Sequence, residues 1–128
     1  MKKSLEGRRI LVVEDEYLIA MEMEDILRDL GAEVVGPFGR LEPALAAVHR
    51  EELDGAVLDV KLDGDTTDQL AAALLSRGIP VLLTTGFESE QLPPTLRELP
   101  RLGKPFDERD LRDMIEQAYR QVGEGPPS

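Results

Sequence analysis

Apolar and polar positions along the chain follow two different periods. Short apolar runs rich in β-branched residues predict strands, and longer stretches with apolar residues at helical spacing predict amphipathic helices. The strands are predicted at 9–14, 33–36, 55–60, 80–86 and 101–104, with Pro37 ending the second and the last a short edge strand. The helices are predicted at 18–30, 41–52, 66–78 and 107–123.

The segment 87–100 interrupts this alternation. Adjacent prolines at 93 and 94 forbid a regular helix through its middle, so we expect one or two helical turns or an irregular loop. Few apolar residues anchor it, and we expect it to be mobile until a modification of the protein or a bound partner orders it.

The order of the elements predicts an α/β fold. A βα unit repeated along the chain, with parallel strands joined by crossovers, gives an open, doubly wound, parallel five-stranded sheet whose fourth helix is short or irregular. We expect a flexible N-terminus at 1–7, one domain at 8–122 and a disordered tail at 123–128.

Polar side chains stand at the end of four predicted strands. In the stretch "RRILVVEDEYL", an apolar strand runs directly into Glu14, Asp15 and Glu16. These acids either form an acidic helix start or surround a cation, because like charges at contact distance repel. In a doubly wound sheet the carboxyl ends of the strands share one edge, which also collects Asp59 and Lys104.

The resulting site is rich in oxygen ligands and contains neither histidine nor cysteine. Such a site suits a hard divalent cation, and Mg²⁺ fits best. Thr84 and Thr85 end the fourth strand, and Lys104 follows the fifth. A hydroxyl and an ammonium group beside a metal can hold an anion such as a phosphoryl group.

Composition narrows the class of protein further. The chain has 128 residues, of which 41% are hydrophobic, which suits one folded domain. It has no cysteine and no apolar run long enough to cross a bilayer, and we expect a cytoplasmic protein without membrane contact. The formal net charge of −11 disfavours nucleic acid as a partner and favours a cation or a basic protein surface.

These motifs together resemble the receiver domain of two-component response regulators, which has a flavodoxin-like fold. The resemblance rests on the acidic pair after the first strand, the aspartate ending the third, the Thr-Gly ending the fourth and the Lys-Pro after the fifth. It implies that Asp59 accepts a phosphoryl group from a histidine kinase or a phosphotransfer protein, and that the protein is a phosphoacceptor and not an enzyme. The Lys104–Pro105 bond is expected to be cis.

The resemblance also implies roles for the other residues of the site. The Mg²⁺ ligands would be Glu14, Asp15, Asp59 and the backbone carbonyl of Lys61. Thr85 would be the switch hydroxyl that binds one phosphoryl oxygen, and Lys104 would pair with another. "LLTTGF" further resembles the Phe-Ala-Thr-Gly-x-Tyr motif of a group of single-domain receivers, although Leu83 and Thr84 depart from it. We therefore expect a regulator that signals through protein–protein contacts without a DNA-binding domain.

Three positions depart from the receiver pattern or are expected to tune the lifetime of the phosphoryl group. Arg101 stands where receivers usually carry the aromatic residue that couples to the switch threonine. Lys61 and Phe87 flank the approach of water to a phosphorylated Asp59. Neither can act as a base at neutral pH, so we expect slow dephosphorylation.

Other functions remain open from the sequence. One is a Mg²⁺-dependent phosphohydrolase with an aspartyl-phosphate, although the haloacid-dehalogenase type needs a second aspartate where this chain has Lys61. Another is a flavodoxin-like nucleotide binder, which would need a phosphate loop in place of Glu-Asp-Glu. A third is a receiver-like binding module that is not phosphorylated. His49, on the second helix, is expected to be a surface residue and not a phosphohistidine.

Overall fold

The computed structural model of the protein describes residues 3–62, 64–86 and 92–124. In chain order the elements are β1 (Arg9–Val13), α1 (Tyr17–Asp29), β2 (Glu33–Phe38), α2 (Leu41–Arg50), β3 (Gly55–Asp59), β4 (Lys61–Leu62), β5 (Asp65–Thr66), α3 (Asp68–Ser76), β6 (Val81–Thr85), α4 (Pro94–Arg97), β7 (Arg101–Gly103) and α5 (Glu108–Glu124). No helix of these described ranges is long and apolar enough to cross a membrane.

Five of the strands form one parallel sheet in the order β2-β1-β3-β6-β7. The chain therefore starts near the middle of the sheet, builds outward to β2, and then returns past β1 to build the other side. The carboxyl ends of β1 and β3, where this reversal occurs, are the usual ligand-binding position of such a sheet. The predicted doubly wound five-stranded fold is confirmed.

The sheet separates two apolar cores because successive strand residues point to opposite faces. On β1, Leu11 and Val13 belong to the core beneath α2, α3 and α4, whereas Ile10 and Val12 belong to the core beneath α1 and α5. Both faces of the central strands are thus covered, which explains why the sequence of β1 reads as a continuous apolar run.

Two local features differ from the sequence prediction. Pro37 does not end β2, because the strand continues to Phe38 through a register shift in its pairing with β1. A small antiparallel hairpin, formed by β4 and β5, occupies the stretch after β3, where the sequence predicted no strands. Strands of two residues carry too little apolar periodicity to be recognised in a sequence.

The N-terminal segment is packed where a flexible terminus was expected. Leu5 is fully buried against the core beneath α1 and α5. Its N–H donates to the carbonyl of Leu30 at 2.9 Å, and the N–H of Gly7 donates to the carbonyl of Gly31 at 3.2 Å. These contacts fasten the segment to the end of α1.

The segment around α4 also has more apolar anchors than expected. Leu92 and Leu96 are buried in the core beneath α2, α3 and α4. Pro94 stands in the first turn of α4, where its missing N–H costs no hydrogen bond. Residues 87–91 of this segment lie outside the described residues, as do residues 125–128 of the tail expected at 123–128.

The last helix begins and packs as its sequence predicts. Asp107 caps α5, since its Oδ1 accepts the N–H of Asp110 at 2.8 Å. Leu111 and Ile115 are fully buried. Tyr119 is fully buried too, and its ring lies over Gly55 of β3 while its hydroxyl donates to the carbonyl of Ala56.

Candidate functional site

An acidic cluster lies at the carboxyl ends of β1 and β3. Glu14, Asp15 and Asp59 each offer a carboxylate oxygen, and these oxygens all lie within 4.8 Å of one another. Glu14 and Asp59 are buried, whereas Asp15 is exposed to solvent. The three acids that the sequence predicted as metal ligands are thus brought together in a geometry that can hold one metal ion.

The backbone at the end of β1 fixes this arrangement. The N–H of Glu14 donates to the carbonyl of Phe38 at 2.9 Å, which extends the pairing of β1 with β2 by one residue. The N–H of Glu16 donates to Oε2 of Glu14 at 3.1 Å. Asp15 lies two residues beyond the end of β1, and α1 begins at Tyr17.

Lys104 is the cation among these acids. Its Nζ lies 2.9 Å from Oε1 of Glu14 and 3.0 Å from Oδ2 of Asp59. It also lies 3.4 Å from Oε1 of Glu16, a more exposed carboxylate. The side chain of Lys104 therefore extends from the end of β7 across β6 to reach acids on β3 and β1.

The pKa values of Glu14 and Lys104 are both raised, for different reasons. Burial raises the pKa of Glu14 to about 7, aided by the negative charge of Asp59 and opposed by Lys104. Burial alone would lower the pKa of Lys104, but its hydrogen bonds to Glu14 and Asp59 raise it above its usual value. Lys104 is thus charged at neutral pH, and a further cation beside Glu14 would favour its ionised form.

Asp59 is held on both sides of its carboxyl group and at its backbone. Oδ2 contacts Lys104, and Oδ1 accepts the N–H of Lys61 at 3.4 Å. Its carbonyl oxygen accepts a hydrogen bond from the hydroxyl of Thr67 at 2.7 Å. No sequence signal marked this contact of Thr67 with Asp59.

The end of β6 places two threonines in the site. Thr85 is buried, and its hydroxyl donates to the carbonyl of Gly86 at 3.3 Å. Thr84 pairs in register with Asp59 and is fully buried, yet its hydroxyl has no hydrogen-bond partner within the described part of the chain. A buried hydroxyl without a partner is uncommon. This one belongs to the residue that lies beside Asp59 on the neighbouring strand.

The other predicted site residues have different surroundings. Lys61 is an exposed residue of the β4–β5 hairpin. Arg101 is exposed on β7, and its guanidinium donates to the carbonyl of Arg97, the last residue of α4, at 3.4 Å. The aromatic residue usual at this position in receivers would instead turn inward. Phe87 lies outside the described residues. His49 is exposed on α2, away from the site.

The donor atoms of the site fit Mg²⁺ by their chemistry. Glu14, Asp15 and Asp59 supply oxygen ligands only, which is the preference of a hard divalent cation. Lys104 offsets only part of their negative charge, so the site retains excess negative charge for a cation. The Lys104–Pro105 peptide bond is cis, as the resemblance implied.

A doubly wound parallel sheet with an acidic cluster at its carboxyl edge defines a class of α/β phosphate- and metal-binding domains. Within that class, the family described as the response regulator receiver domain matches residues 10–116. The chain belongs to this family. The identification by motif is confirmed, and the phosphohydrolase and nucleotide-binder alternatives are not favoured.

Curated proteins and solved structures agree with this identification. The transcriptional regulatory protein PdtaR of Mycobacterium tuberculosis is 34% identical over 123 residues, which is 91% of this chain and 59% of PdtaR. The phyllosphere-induced regulator PhyR of Methylorubrum extorquens is 31% identical, over 85% of this chain and 42% of PhyR. The chain thus spans about half the length of the curated relatives that it matches.

Two solved structures show the same fold at higher coverage of the domain. SdrG from Sphingomonas melonis is 37% identical with a TM-score of 0.75, covering 93% of this chain and 97% of that one. A CheY-like receiver domain protein from Methanospirillum hungatei is 25% identical with a TM-score of 0.79, covering 92% of this chain and 98% of that one. Both similarities extend over nearly the whole domain.

Proposed function

We propose that this receiver takes a phosphoryl group onto Asp59 in the presence of Mg²⁺. The observation that carries the proposal is the position of the Asp59 carboxylate, which belongs to the acidic cluster and contacts Lys104 at 3.0 Å. A carboxylate can attack phosphorus only when the negative charges of nucleophile and phosphoryl group are offset. Mg²⁺ would supply the larger share of that offset.

The residues of the site have distinct roles in this reaction. A carboxylate oxygen of Asp59 attacks the phosphorus of a donor phosphohistidine, so an O–P bond forms while the P–N bond breaks and the imidazole leaves with the electron pair. Lys104 transfers its contact from Asp59 to a phosphoryl oxygen, and the Thr85 hydroxyl binds another. Glu14, Asp15 and the backbone carbonyl of Lys61 complete the proposed Mg²⁺ ligands.

The donor in this proposal is a histidine kinase or a histidine phosphotransfer protein. Tyr17 and Leu18 support a protein donor, because they begin α1 directly beside the acidic cluster and are 74% and 78% exposed. Large apolar side chains exposed at the rim of a charged site are typical of a protein-contact surface. The phosphorylated domain would then signal by protein–protein contact.

Phosphorylation can be tested with a small phosphodonor. The purified protein is incubated with acetyl phosphate and Mg²⁺, and its intact mass is measured beside Asp59→Asn, which keeps the side-chain shape. We expect the wild type to gain one phosphoryl group and Asp59→Asn to gain none. A phosphorylated mass in Asp59→Asn, or in the wild type with excess chelator, contradicts the proposal. A wild type that stays unmodified while binding Mg²⁺ supports the unphosphorylated binding module instead.

A further inference from the structure

Thr67 is a buried threonine with an unusual use of its hydroxyl. It is fully buried and stands at the N-cap position of α3, yet its side chain makes no capping hydrogen bond. Its hydroxyl instead donates to the backbone carbonyl of Asp59 at 2.7 Å and lies 3.2 Å from the carbonyl of Val60. A threonine at this position of a helix ordinarily accepts an N–H of the first turn and stabilises the helix by about 1 kcal/mol.

The backbone of Thr67 closes the same loop. Its N–H donates to the carbonyl of Val60 at 2.9 Å, so residues 60 and 67 meet at the neck of the loop that follows β3. The β4–β5 hairpin lies between residues 60 and 67, and in it Lys61 pairs with Thr66. Leu62 anchors the hairpin, because its side chain is buried in the core beneath α2 and α3.

Two residues of the proposed site adjoin the neck of this loop, Asp59 directly before Val60 and Lys61 directly after it. Asp59 precedes the neck, and the N–H of Lys61 donates to Oδ1 of Asp59 at 3.4 Å. β3 ends at Asp59, and Val60 is the last residue to continue the pairing with β6 through its N–H to the carbonyl of Thr84 at 2.9 Å. A strand end is free to fray, so a donor to the carbonyl of Asp59 restrains the main chain from which its carboxylate extends.

We infer that Thr67 is a positioning residue for the chemistry of Asp59. Its hydroxyl holds the main chain of Asp59 and the neck of the hairpin, and through that neck it sets the position of Lys61. The inference rests on the proposed function, in which Asp59 attacks phosphorus and the carbonyl of Lys61 binds the metal. Displacements of about 1 Å at a reacting group change rates by up to about a hundredfold, so a fixed backbone at Asp59 matters to phosphorylation.

The test compares three variants with the wild type. Thr67→Val keeps the shape of the side chain and removes the donor, whereas Thr67→Ser keeps the donor. Thr66→Val is the matched control, because the hydroxyl of Thr66 contacts Asp68 and not Asp59. For each protein, phosphorylation by acetyl phosphate is followed by intact mass at saturating Mg²⁺. Mg²⁺ affinity and the amide exchange of residues 61 and 62 are measured by NMR.

We expect Thr67→Val to lower the phosphorylation rate and the Mg²⁺ affinity by about tenfold, the usual effect of removing a group that orients ligands. Amide exchange at 61 and 62 should speed up in the same variant. Thr67→Ser and Thr66→Val should stay within about twofold of the wild type, on the same scale. Thr67→Val with wild-type rate and affinity overturns the inference, and so does an equal loss in Thr67→Ser.

The proposed function can fail separately from this inference. If the wild type is not phosphorylated on Asp59, the proposed function is wrong, and Mg²⁺ affinity with amide exchange decides the role of Thr67. Unchanged values of both in Thr67→Val then overturn the role of Thr67. A tenfold loss of affinity with faster exchange retains it as a residue that positions the metal site.

Discussion

At the scale of single residues, Lys104 explains how the acids of the site can lie together. Glu14 and Asp59 are buried within one acidic cluster, and the ammonium group of Lys104 lies within 3.0 Å of both. The ammonium group therefore contacts two of the three carboxylates that could bind a metal ion. Lys104 and a Mg²⁺ ion bound as proposed would therefore offset the same negative charges. Lys104 would do so alone in the metal-free protein, and both would do so when a phosphoryl group adds its own charge.

Removal of Lys104 should separate these two effects. In Lys104→Met the buried carboxylates lose their cation, so we expect the metal-free protein to lose about 3 kcal/mol of unfolding free energy. The same variant should gain more stability from Mg²⁺ than the wild type does, because no ammonium competes with the ion. Urea unfolding with and without Mg²⁺ measures both, with Lys104→Arg as the variant that keeps the charge. An equal Mg²⁺ effect in wild type and Lys104→Met would show that Lys104 does not oppose metal binding.

Thr84 gives a prediction of opposite sign. Its hydroxyl is buried without a partner within the described residues, and such a group costs about 1–3 kcal/mol. We expect Thr84→Val, which has the same shape, to raise the unfolding free energy by about 1 kcal/mol and to leave Mg²⁺ affinity unchanged. Thermal and urea unfolding provide the measurement. Lower stability or weaker Mg²⁺ binding in this variant would mean that the hydroxyl holds a water molecule in the site.

The lifetime of the phosphoryl group is a further property of individual side chains. If Asp59 is phosphorylated as proposed, the resemblance to receivers implies that Lys61 and Phe87 flank the approach of water, and neither side chain is expected to activate that water. We expect phosphorylated wild type to decay more slowly than Lys61→Asn, Phe87→Ala and the double variant. Decay is followed by intact mass after removal of the phosphodonor. Equal decay of wild type and double variant would rule out shielding by these side chains.

At the scale of elements, sequence periodicity located the helices and sheet strands but not their finest contacts. Apolar runs bounded by turn residues gave β1, β3 and β6 to within a residue or two, because these strands are buried on both faces. The meeting of the acids after β1 with Asp59 at the end of β3 followed from the topology, since parallel strands bring their carboxyl ends to one edge.

The remaining contacts depend on tertiary packing that a single sequence does not encode locally. The β4–β5 hairpin is too short for a periodic signal, and the extension of β2 beyond Pro37 depends on a register shift against β1. A threonine at the start of a helix can form hydrogen bonds with several nearby backbone groups. Its sequence position therefore does not show that the folded loop brings the carbonyl of Asp59 to the hydroxyl of Thr67. Burial of Leu96 likewise depends on the core that forms beneath α4.

The contact of α5 with β3 gives a prediction about element packing. A Cβ on Gly55 would lie 2.7 Å from the ring of Tyr119, which is fully buried and has no room to move. We expect Gly55→Ala to lower the unfolding free energy by about 2 kcal/mol. Gly103→Ala is the matched control, because a Cβ there meets nothing within 4 Å and the glycine is also in a strand.

A double-variant cycle identifies the cause of that loss. In a Tyr119→Leu background, the added methyl group of Gly55→Ala meets a smaller side chain, so its cost should fall by at least half. Urea unfolding of the four proteins measures the coupling. The same cost in both backgrounds would place the strain elsewhere, for example against Ile10, whose Cδ1 would lie 3.1 Å from the new Cβ.

At the scale of the whole molecule, the charge distribution favours cations in general and the acidic cluster in particular. The formal net charge is −11, so self-repulsion opposes folding and salt should relieve it. We expect NaCl to raise the melting temperature of wild type and Asp15→Asn alike. Mg²⁺ at equal ionic strength should raise it further in the wild type and much less in Asp15→Asn. Equal Mg²⁺ effects in both proteins would show that the ion acts only by screening.

The burial of Leu5 sets a limit on where this domain can be cut or joined to another protein. The family match starts at residue 10, and a truncation designed from it would remove a fully buried leucine together with the backbone bonds of 5 and 7 to the end of α1. Loss of one such side chain typically costs about 2–5 kcal/mol, a large share of the stability of a small domain. An affinity tag or a reporter should therefore be attached ahead of Leu5, and a shortened protein that begins at β1 would give binding data on a partly unfolded population.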